Sequence, residues 1–177
     1  MTVSPFLDHI ALPLLESPSL PRGPILDLAC GSGRNGLFLA ERGFTVELLD
    51  RDADKIEAAR QTAMAHGWSV TTRIADLESG PPVSFVPESY AAVMVFRYLH
   101  RPLFPILLGS VKPGGLLIYE SFTEDHGDII GKPSNPNFLL RKGELSTRVP
   151  GWKVLHSFEG RLENPERYMA RLIARKP

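Results

Sequence analysis

The sequence predicts an α/β protein with a doubly wound, mainly parallel sheet of seven strands that ends in a C-terminal antiparallel hairpin. Short apolar runs alternate with helical segments from residue 24 onward, which is the pattern of a parallel sheet covered on both faces. The first apolar run stops at a glycine cluster between Gly31 and Gly36. Two strand-like runs near the C-terminus have no helix between them, so they should pair antiparallel.

Length and composition limit the class of protein. The chain has 177 residues with 43% hydrophobic content, typical of one globular domain. Its 20 Lys+Arg and 20 Asp+Glu give a formal net charge of zero, so no nucleic-acid or membrane partner is expected. The single cysteine, Cys30, and the spacing of the histidines indicate neither a disulfide nor a metal site. We expect a cytoplasmic monomer or homodimer that acts on a small molecule.

Residues 1–23 are predicted to form an N-terminal helical extension. Ser4 is a typical N-cap, Pro5 suits the first helical position, and apolar residues recur at helical spacing to about Leu12. Pro13 should end or kink the helix because proline has no amide proton. Prolines and acidic residues interrupt this segment, so it resembles neither a signal peptide nor a membrane span.

Residues 24–177 are predicted to form a single domain. Apolar periodicity places strands over 25–29, 44–49, 70–75, 91–96, 116–119, 152–158 and 168–175, and helices over 34–42, 53–66 and 102–111. Pro81, Pro82 and Pro87 should keep any helix between the third and fourth strands short. The polar stretch 124–149 is predicted to be a loop or lid on the substrate side, since long loops in compact domains are usually functional or mobile.

The glycine cluster satisfies the pattern G-x-G-x-x-G at a strand-to-helix turn. Glycines there permit a tight turn and a close approach of the backbone to a ligand. Asp50 follows Gly31 by 19 positions, where a nucleotide-binding fold places an acid on the ribose hydroxyls. A nicotinamide dehydrogenase, a nucleoside-binding enzyme and a glycine turn without a ligand all satisfy this spacing.

Two further acids separate the ligand alternatives. Asp27 lies inside the first predicted strand, and Asp76 ends the third. Both would oppose the negative charge of a dinucleotide pyrophosphate. S-adenosylmethionine instead presents a sulfonium, an ammonium and two ribose hydroxyls, and an acid-rich site suits these groups. The short chain also offers no obvious second domain for a dehydrogenase substrate.

The sequence resembles the class I S-adenosylmethionine-dependent methyltransferases, which have a Rossmann-like fold, from about Pro24 to its end. Leu26 to Gly33 looks like the first motif of that family, and Asp50 matches its ribose-binding acid. Asp76-Leu77 corresponds to the position that contacts adenine, and Lys112 to Gly115 is similar to the turn before the fifth strand. The resemblance implies S-adenosylmethionine as cofactor.

Within that superfamily, the sequence is most similar to the tellurite-resistance methyltransferase branch. The similar segments are Gly31 to Asn35, Gly143 to Leu145 and Ile173 to Lys176. Ala91 departs from the family pattern, which commonly has an aspartate at the start of the fourth strand. Residues 131–140 carry no family motif, so the substrate stays open.

The ligand of an open α/β sheet lies outside the carboxyl ends of the strands. The residues predicted to bind the cofactor there are Asp27, Ala29, Gly31, Gly33, Asn35, Asp50, Arg51, Asp76, Leu77, Phe96 and Arg97. Tyr98, His100 and Glu120 are the candidate catalytic residues, since an oxygen or nitrogen nucleophile often needs a base, whereas sulfur, selenium or tellurium does not. As alternatives, Tyr98 and His100 fill polar gaps at a strand end. Arg97 binds an anionic substrate or the cofactor carboxylate, or it forms a surface ion pair.

Three functions are compatible with these residues. The first is a methyltransferase that aligns a small acceptor, such as a chalcogen oxyanion, a thiol or another metabolite, for in-line displacement. The second is an NAD(P)-dependent oxidoreductase that uses the same glycine loop. The third is a non-catalytic module that keeps the fold and the cofactor.

Overall fold

A computed structural model describes residues 2–80 and 82–177. Met1, of the predicted extension, and Pro81, of the third crossover, lie outside the described residues. The strands are β1 (Ile25–Leu28), β2 (Val46–Asp50), β3 (Val70–Ile74), β4 (Tyr90–Phe96), β5 (Val111–Phe122), β6 (Lys153–Leu162) and β7 (Arg167–Arg175). The α-helices are α1 (Leu12–Leu15), α2 (Arg34–Glu41), α3 (Ala53–His66), α4 (Phe104–Ser110), α5 (Glu124–Ile130) and α6 (Glu144–Thr147), and 3-10 turns cover Arg101–Leu103 and Pro136–Phe138.

The strands form one sheet in the order β3-β2-β1-β4-β5-β7-β6. Strands β1 to β5 run parallel to their neighbours, and β7 is antiparallel to both β5 and β6. The predicted fold class is confirmed. The strand order reverses direction between β1 and β4, so a ligand crevice is expected at their carboxyl ends.

The two central strands show why this sheet is stable. Every residue of β1 and of β4 is buried, as expected of parallel strands covered on both faces. Leu26 and Leu28 join an apolar cluster on one face, and Ile25 joins the cluster on the other. This alternation follows the two-residue period of a strand. It leaves Asp27 as an ionisable group inside the sheet.

The N-terminal helix is longer than predicted. A π turn over Leu7–Ala11 leads directly into α1. The Leu12 amide donates to the Leu7 carbonyl, one residue further back than in an α-helix. Pro13 therefore falls in the first turn of the following α-helical segment, where a missing amide donor is tolerated. The helix continues to Leu15, so the predicted end near Leu12 was wrong, while a kink at Pro13, the other predicted outcome, stays a prediction.

Strand β5 begins earlier than predicted. Tyr90 pairs with Val111 and Ala92 pairs with Leu116, so the intervening segment Lys112 to Gly115 is a bulge within the strand. A Cβ on Gly115 would lie 2.6 Å from the Ala91 carbonyl oxygen, which explains why glycine is needed there. The sequence pattern had suggested a turn before the strand.

The predicted loop 124–149 contains α5, α6 and a 3-10 turn. Leu140, Leu145 and Val149 are buried in the same apolar cluster as β1 and β4. The Glu144 carboxylate accepts from both Nε and Nη2 of Arg101, each at 2.8 Å, which ties α6 to the segment that follows β4. Much of this stretch is therefore packed structure, and its closure over the site stays a prediction. In the described part of the chain, no helix has the length and hydrophobicity that crossing a membrane requires.

Candidate functional site

Two clefts open at the carboxyl ends of the central strands and share the residue Ala29. The first cleft, of about 250 Å³, is lined by Asp27, Ala29, Cys30, Gly31, Ser32, Arg34, Asn35 and Phe96. The second cleft, of about 220 Å³, is lined by Ala29, Asp50, Arg51, Ala75, Asp76, Leu77, Glu78, Arg97 and Tyr98. All the residues predicted to bind a cofactor line one of these clefts, except Gly33.

The glycines of the loop have different roles. Gly31 has φ +57°, and a Cβ there would meet no atom within 4 Å, so the loop presents bare backbone to the first cleft. Its amide donates to Asp50 Oδ2 at 2.7 Å, which joins the loop to the end of β2. A Cβ on Gly33 would lie 3.0 Å from Leu48 Cδ1 and 3.2 Å from Ala59 Cβ. Gly33 therefore lets α2 pack against β2 and α3.

Asp27 is a buried acid at the base of the first cleft. Its side chain is almost inaccessible, and its Oδ2 accepts from the Gly36 amide at 2.8 Å. Burial raises the pKa of Asp27 to about 7, although the Gly36 amide and the Arg34 charge act in the opposite direction. A bound cation would favour the ionised form. The protonation state of Asp27 is thus sensitive to the occupant of this cleft.

Asp50 and Asp76, two of the acids that line the second cleft, are held by backbone amides. Asp50 Oδ1 accepts from the Asp52 amide at 3.0 Å, while its Oδ2 accepts from the loop. Asp76 Oδ1 accepts from the amides of Ser79 and Glu78 at 3.0 and 2.9 Å, and these hydrogen bonds lower the pKa of Asp76. A carboxylate offers about four acceptor positions. Both acids therefore keep capacity for donors on a ligand.

The three candidate catalytic residues lie in different places. Tyr98 lines the second cleft, and its buried hydroxyl has no partner at hydrogen-bonding distance among the described residues. Burial, followed by the nearby Glu78 carboxylate, raises the pKa of Tyr98. His100 lines a third cleft of about 490 Å³ beside Arg101. Glu120 lines none of the three clefts.

Glu120 is engaged by other side chains. Its Oε2 accepts from Arg171 Nε at 2.7 Å, and its Oε1 accepts from the Ser4 hydroxyl at 3.4 Å. Glu120 is 2% exposed. The structure does not bring Glu120, Tyr98 and His100 together as one catalytic group.

Ser4 is a contact residue that sequence reasoning recognised only as a helix cap. Its amide donates to Asn35 Oδ1 at 3.0 Å, and its hydroxyl reaches Glu120. The N-terminal segment is therefore attached both to the wall of the first cleft and to β5. Phe6 packs edge-on against Phe96, which lines the same cleft. No local sequence signal could have indicated these long-range contacts.

A larger groove of about 580 Å³ lies between α2 and α3. It shares only Ser32 and Arg34 with the first cleft and contains none of the predicted site residues. Because it lacks the acids at the strand ends, we do not assign it to the cofactor.

A sequence profile described as a methyltransferase domain matches residues 25–115, just over half of the chain. The chain belongs to this methyltransferase family. The match covers β1 to the start of β5, with the glycine loop and Asp50 and Asp76 of the second cleft. It confirms the resemblance to class I S-adenosylmethionine-dependent methyltransferases, and it favours this cofactor over the nicotinamide alternative.

Curated relatives agree with this family. The probable S-adenosyl-L-methionine-dependent methyltransferase TehB of Haemophilus influenzae (strain ATCC 51907 / DSM 11121 / KW20 / Rd) is 27% identical over 140 residues, covering 74% of this chain and 46% of TehB. Trans-aconitate 2-methyltransferase of Rhizobium meliloti (strain 1021) is 29% identical over 175 residues, covering 92% of this chain and 61% of the relative. The chain thus spans less than two thirds of the length of either relative.

The crystal structure of TehB from Haemophilus influenzae has the same fold. It superposes with a TM-score of 0.75 at 22% sequence identity, over 96% of this chain and 62% of TehB. TehB belongs to the tellurite-resistance methyltransferase branch, so the predicted similarity to that branch is confirmed by the sequence match and agrees with the fold.

The residues of the two clefts fit S-adenosylmethionine, the cofactor of this family. Bare backbone at Gly31 leaves room for a ligand. Asp50 accepts from the Gly31 amide and Asp27 accepts from the Gly36 amide of α2, and these two acids supply the acidic character that a cationic, hydroxyl-bearing ligand requires. Ala29 and Arg97 have φ of +54° and +57°. Left-handed backbone at non-glycine residues often marks functional sites, and both residues line the second cleft.

Proposed function

We propose that the chain is an S-adenosylmethionine-dependent methyltransferase for a small molecule, with the cofactor lying across the first and second clefts. The observation that carries the proposal is that the two clefts meet at Ala29, with Asp27 and the bare backbone of Gly31 in the first cleft and Asp50 in the second. When bound, S-adenosylmethionine supplies an electrophilic methyl group on a positively charged sulfur.

The chain's own groups would bind and orient the cofactor. The Asp27 carboxylate faces its ammonium group, the Asp50 carboxylate accepts from the ribose hydroxyls, and Asp76 with Leu77 contacts the adenine. The amino-acid part of the cofactor is thus assigned to the first cleft beside Gly31, and the ribose and adenine to the second cleft, which reaches the end of β3. The backbone at Gly31 permits close approach without a side-chain clash.

The N-terminal segment would exclude water from the amino-acid end of the cofactor. Ser4 is 3% exposed and bonds to Asn35 in the wall of the first cleft. Shielding and alignment are the main contributions that a protein can make to an in-line displacement. The segment is expected to loosen when a ligand enters or leaves.

The positions of the candidate bases favour an acceptor that needs no deprotonation. Arg171 and Ser4 already engage Glu120. The Tyr98 hydroxyl is protonated at neutral pH, and its raised pKa makes it a poor base, so we propose that it donates a hydrogen bond that orients the acceptor. His100 lies in the third cleft and is proposed to contact the acceptor only if the acceptor extends there.

Calorimetry with S-adenosylmethionine and its demethylated product tests the cofactor proposal. Saturable binding is expected, and Asp50→Ala should weaken it by about tenfold or more, because hydrogen bonds to a charged group are lost. Asp54→Ala is the matched control, since Asp54 lies on α3 and lines neither cofactor cleft. Absence of binding at millimolar ligand would rule out the proposal.

A methyl-transfer assay with an acceptor panel tests the catalytic part. The panel contains selenite, tellurite, a thiol and small carboxylates, the last because a trans-aconitate methyltransferase is among the relatives. Transfer to one class identifies the acceptor. Cofactor binding without transfer to any of them would favour the non-catalytic module.

A further inference from the structure

The groove of about 580 Å³ between α2 and α3 has no part in the proposed cofactor site. It begins near the carboxyl edge of the sheet, where Ser32 precedes α2 and Lys55 lies in the first turn of α3. It extends to Trp68, beyond the end of α3. Its volume lies within the range of about 300–1,000 Å³ that is typical of small-molecule sites. The groove is therefore large enough for a ligand of its own.

The walls of the groove are mainly apolar and aromatic. Their apolar side chains are Val3, Leu37, Phe38, Ala58, Ala59 and Trp68. The guanidinium of Arg42 lies over the Phe38 ring, 3.5 Å from its centroid, and His66 stacks on Trp68 with the ring centroids 4.5 Å apart. Both aromatic rings remain only half-buried. Rings that are held on one face offer the other for stacking, so these walls suit an aromatic ligand.

The charged residues along the groove do not call for a charged ligand. They are two bases and two acids, with formal charges that sum to zero: Arg34, Lys55, Glu41 and Asp54. Lys55 Nζ pairs with Asp52 at 2.6 Å, and Glu41 pairs with Arg42 at 3.5 Å. Asp54 is exposed in the first turn of α3, where the helix dipole favours an acid. An uncharged ligand complements this lining, because a buried charge without a partner is unfavourable.

The N-terminal segment contacts both the groove and the first cleft. Val3 lines the groove, and Arg34, which lines both cavities, donates from Nη1 to the Thr2 carbonyl at 3.4 Å. The next residue, Ser4, donates its amide to Asn35 in the wall of the first cleft. A molecule that packs on Val3 would hold this segment in its attached position. The groove is thus linked to the segment that is proposed to shield the cofactor.

We propose that this groove binds a small, uncharged aromatic molecule, and that this molecule strengthens cofactor binding by holding the N-terminal segment against α2. The site itself does not depend on the proposed function, whereas its effect on the cofactor rests on that function. A ligand that fixes the segment beforehand reduces the ordering that cofactor binding must otherwise supply. Linkage then requires the cofactor to strengthen binding in the groove by the same factor.

Fluorescence titration with N-phenyl-1-naphthylamine, an uncharged aromatic probe, tests the site. Saturable binding of one probe per chain is expected. Ala58 is exposed on α3 and lines the groove, so Ala58→Phe should fill the groove and weaken probe binding by about tenfold or more. Ala65→Phe is the matched control, because Ala65 is also exposed on α3 but does not line the groove. It should leave probe binding unchanged.

A charged probe tests the chemical class of the ligand. The dye 8-anilinonaphthalene-1-sulfonate carries the same rings with a negative charge, and it should bind about tenfold more weakly than the uncharged probe. Equal binding of the two dyes, or equal binding of the uncharged probe to wild type and Ala58→Phe, would overturn the proposed site. Probe binding that increases on dilution of the protein would overturn it too, since a second copy of the chain would then cover the groove.

Calorimetry with the demethylated cofactor product tests the coupling. The affinity for this product should rise by about fivefold or more when the probe saturates the groove, and Ala58→Phe should abolish the rise. Far-UV circular dichroism and thermal melting establish that the variants fold. Probe binding with unchanged product affinity would overturn the coupling. Failure of the product to bind with or without the probe would instead refute the proposed function, and the coupling with it.

Discussion

Ionisation of Asp27 is expected to make the protein less stable as the pH rises through neutrality. Burial raises the pKa of this carboxyl from 3.8 to about 7, so the folded protein holds the proton to a higher pH than the unfolded chain. Between pH 3.8 and about pH 7 the carboxyl ionises in the unfolded chain but stays protonated in the folded protein, so the free energy of unfolding falls as the pH rises. Above the folded pKa both states are ionised, and the loss is complete.

The two pKa values set the size of the effect. Between pH 5 and pH 8 the unfolded carboxyl is already ionised, while the folded carboxyl loses its proton. The free energy of unfolding should therefore fall by about 2–3 kcal/mol over this interval because of Asp27. Asp27→Asn keeps an oxygen for the Gly36 amide but cannot ionise. The variant should lack this part of the pH dependence and be more stable than the wild type at pH 8.

Urea denaturation at pH 5 and pH 8 measures the difference without the cofactor. The comparison of variant and wild type removes the contributions of the histidines. Asp52→Asn is the control, because Asp52 is exposed and its hydrogen bonds with Lys55 lower its pKa, which leaves it ionised throughout this range. Parallel pH profiles for Asp27→Asn and the wild type would refute the reasoning about Asp27.

The remaining predictions concern packing and attachment. Gly36→Ala should lower the free energy of unfolding by about 1–3 kcal/mol in urea denaturation, because its Cβ would lie 2.3 Å from Leu48 Cδ2. Burial raises the pKa of Glu144, but the hydrogen bonds from Arg101 and Arg148 outweigh burial and lower that pKa from 4.5 to about 2. The wild type should therefore be more stable than Glu144→Gln above pH 4.5, and urea denaturation should show this difference shrinking as the pH falls from 4.5 towards 2. Ser4→Gly should speed amide hydrogen exchange in the N-terminal segment, and unchanged exchange would contradict its attachment to the cleft.

The sheet and the acids of the site were predictable because they depend on local patterns. A buried strand is recognisable by its apolar run. Asp50 and Asp76 lie at the carboxyl ends of two parallel strands, and the carboxyl ends of parallel strands meet at one edge of the sheet. Gly31 and Gly33 look equivalent in sequence. Only the neighbours of their missing Cβ atoms show that Gly31 opens toward the cleft while Gly33 permits packing.

The state of each charged side chain at that edge was not predictable. Glu120 was a reasonable candidate base by its position, but its partners come from residues 51 and 116 positions away. The helix containing Pro13 likewise continued because a π turn changed the hydrogen-bonding frame. Long-range pairing and backbone irregularity are properties of the folded chain, and apolar periodicity carries no information about them.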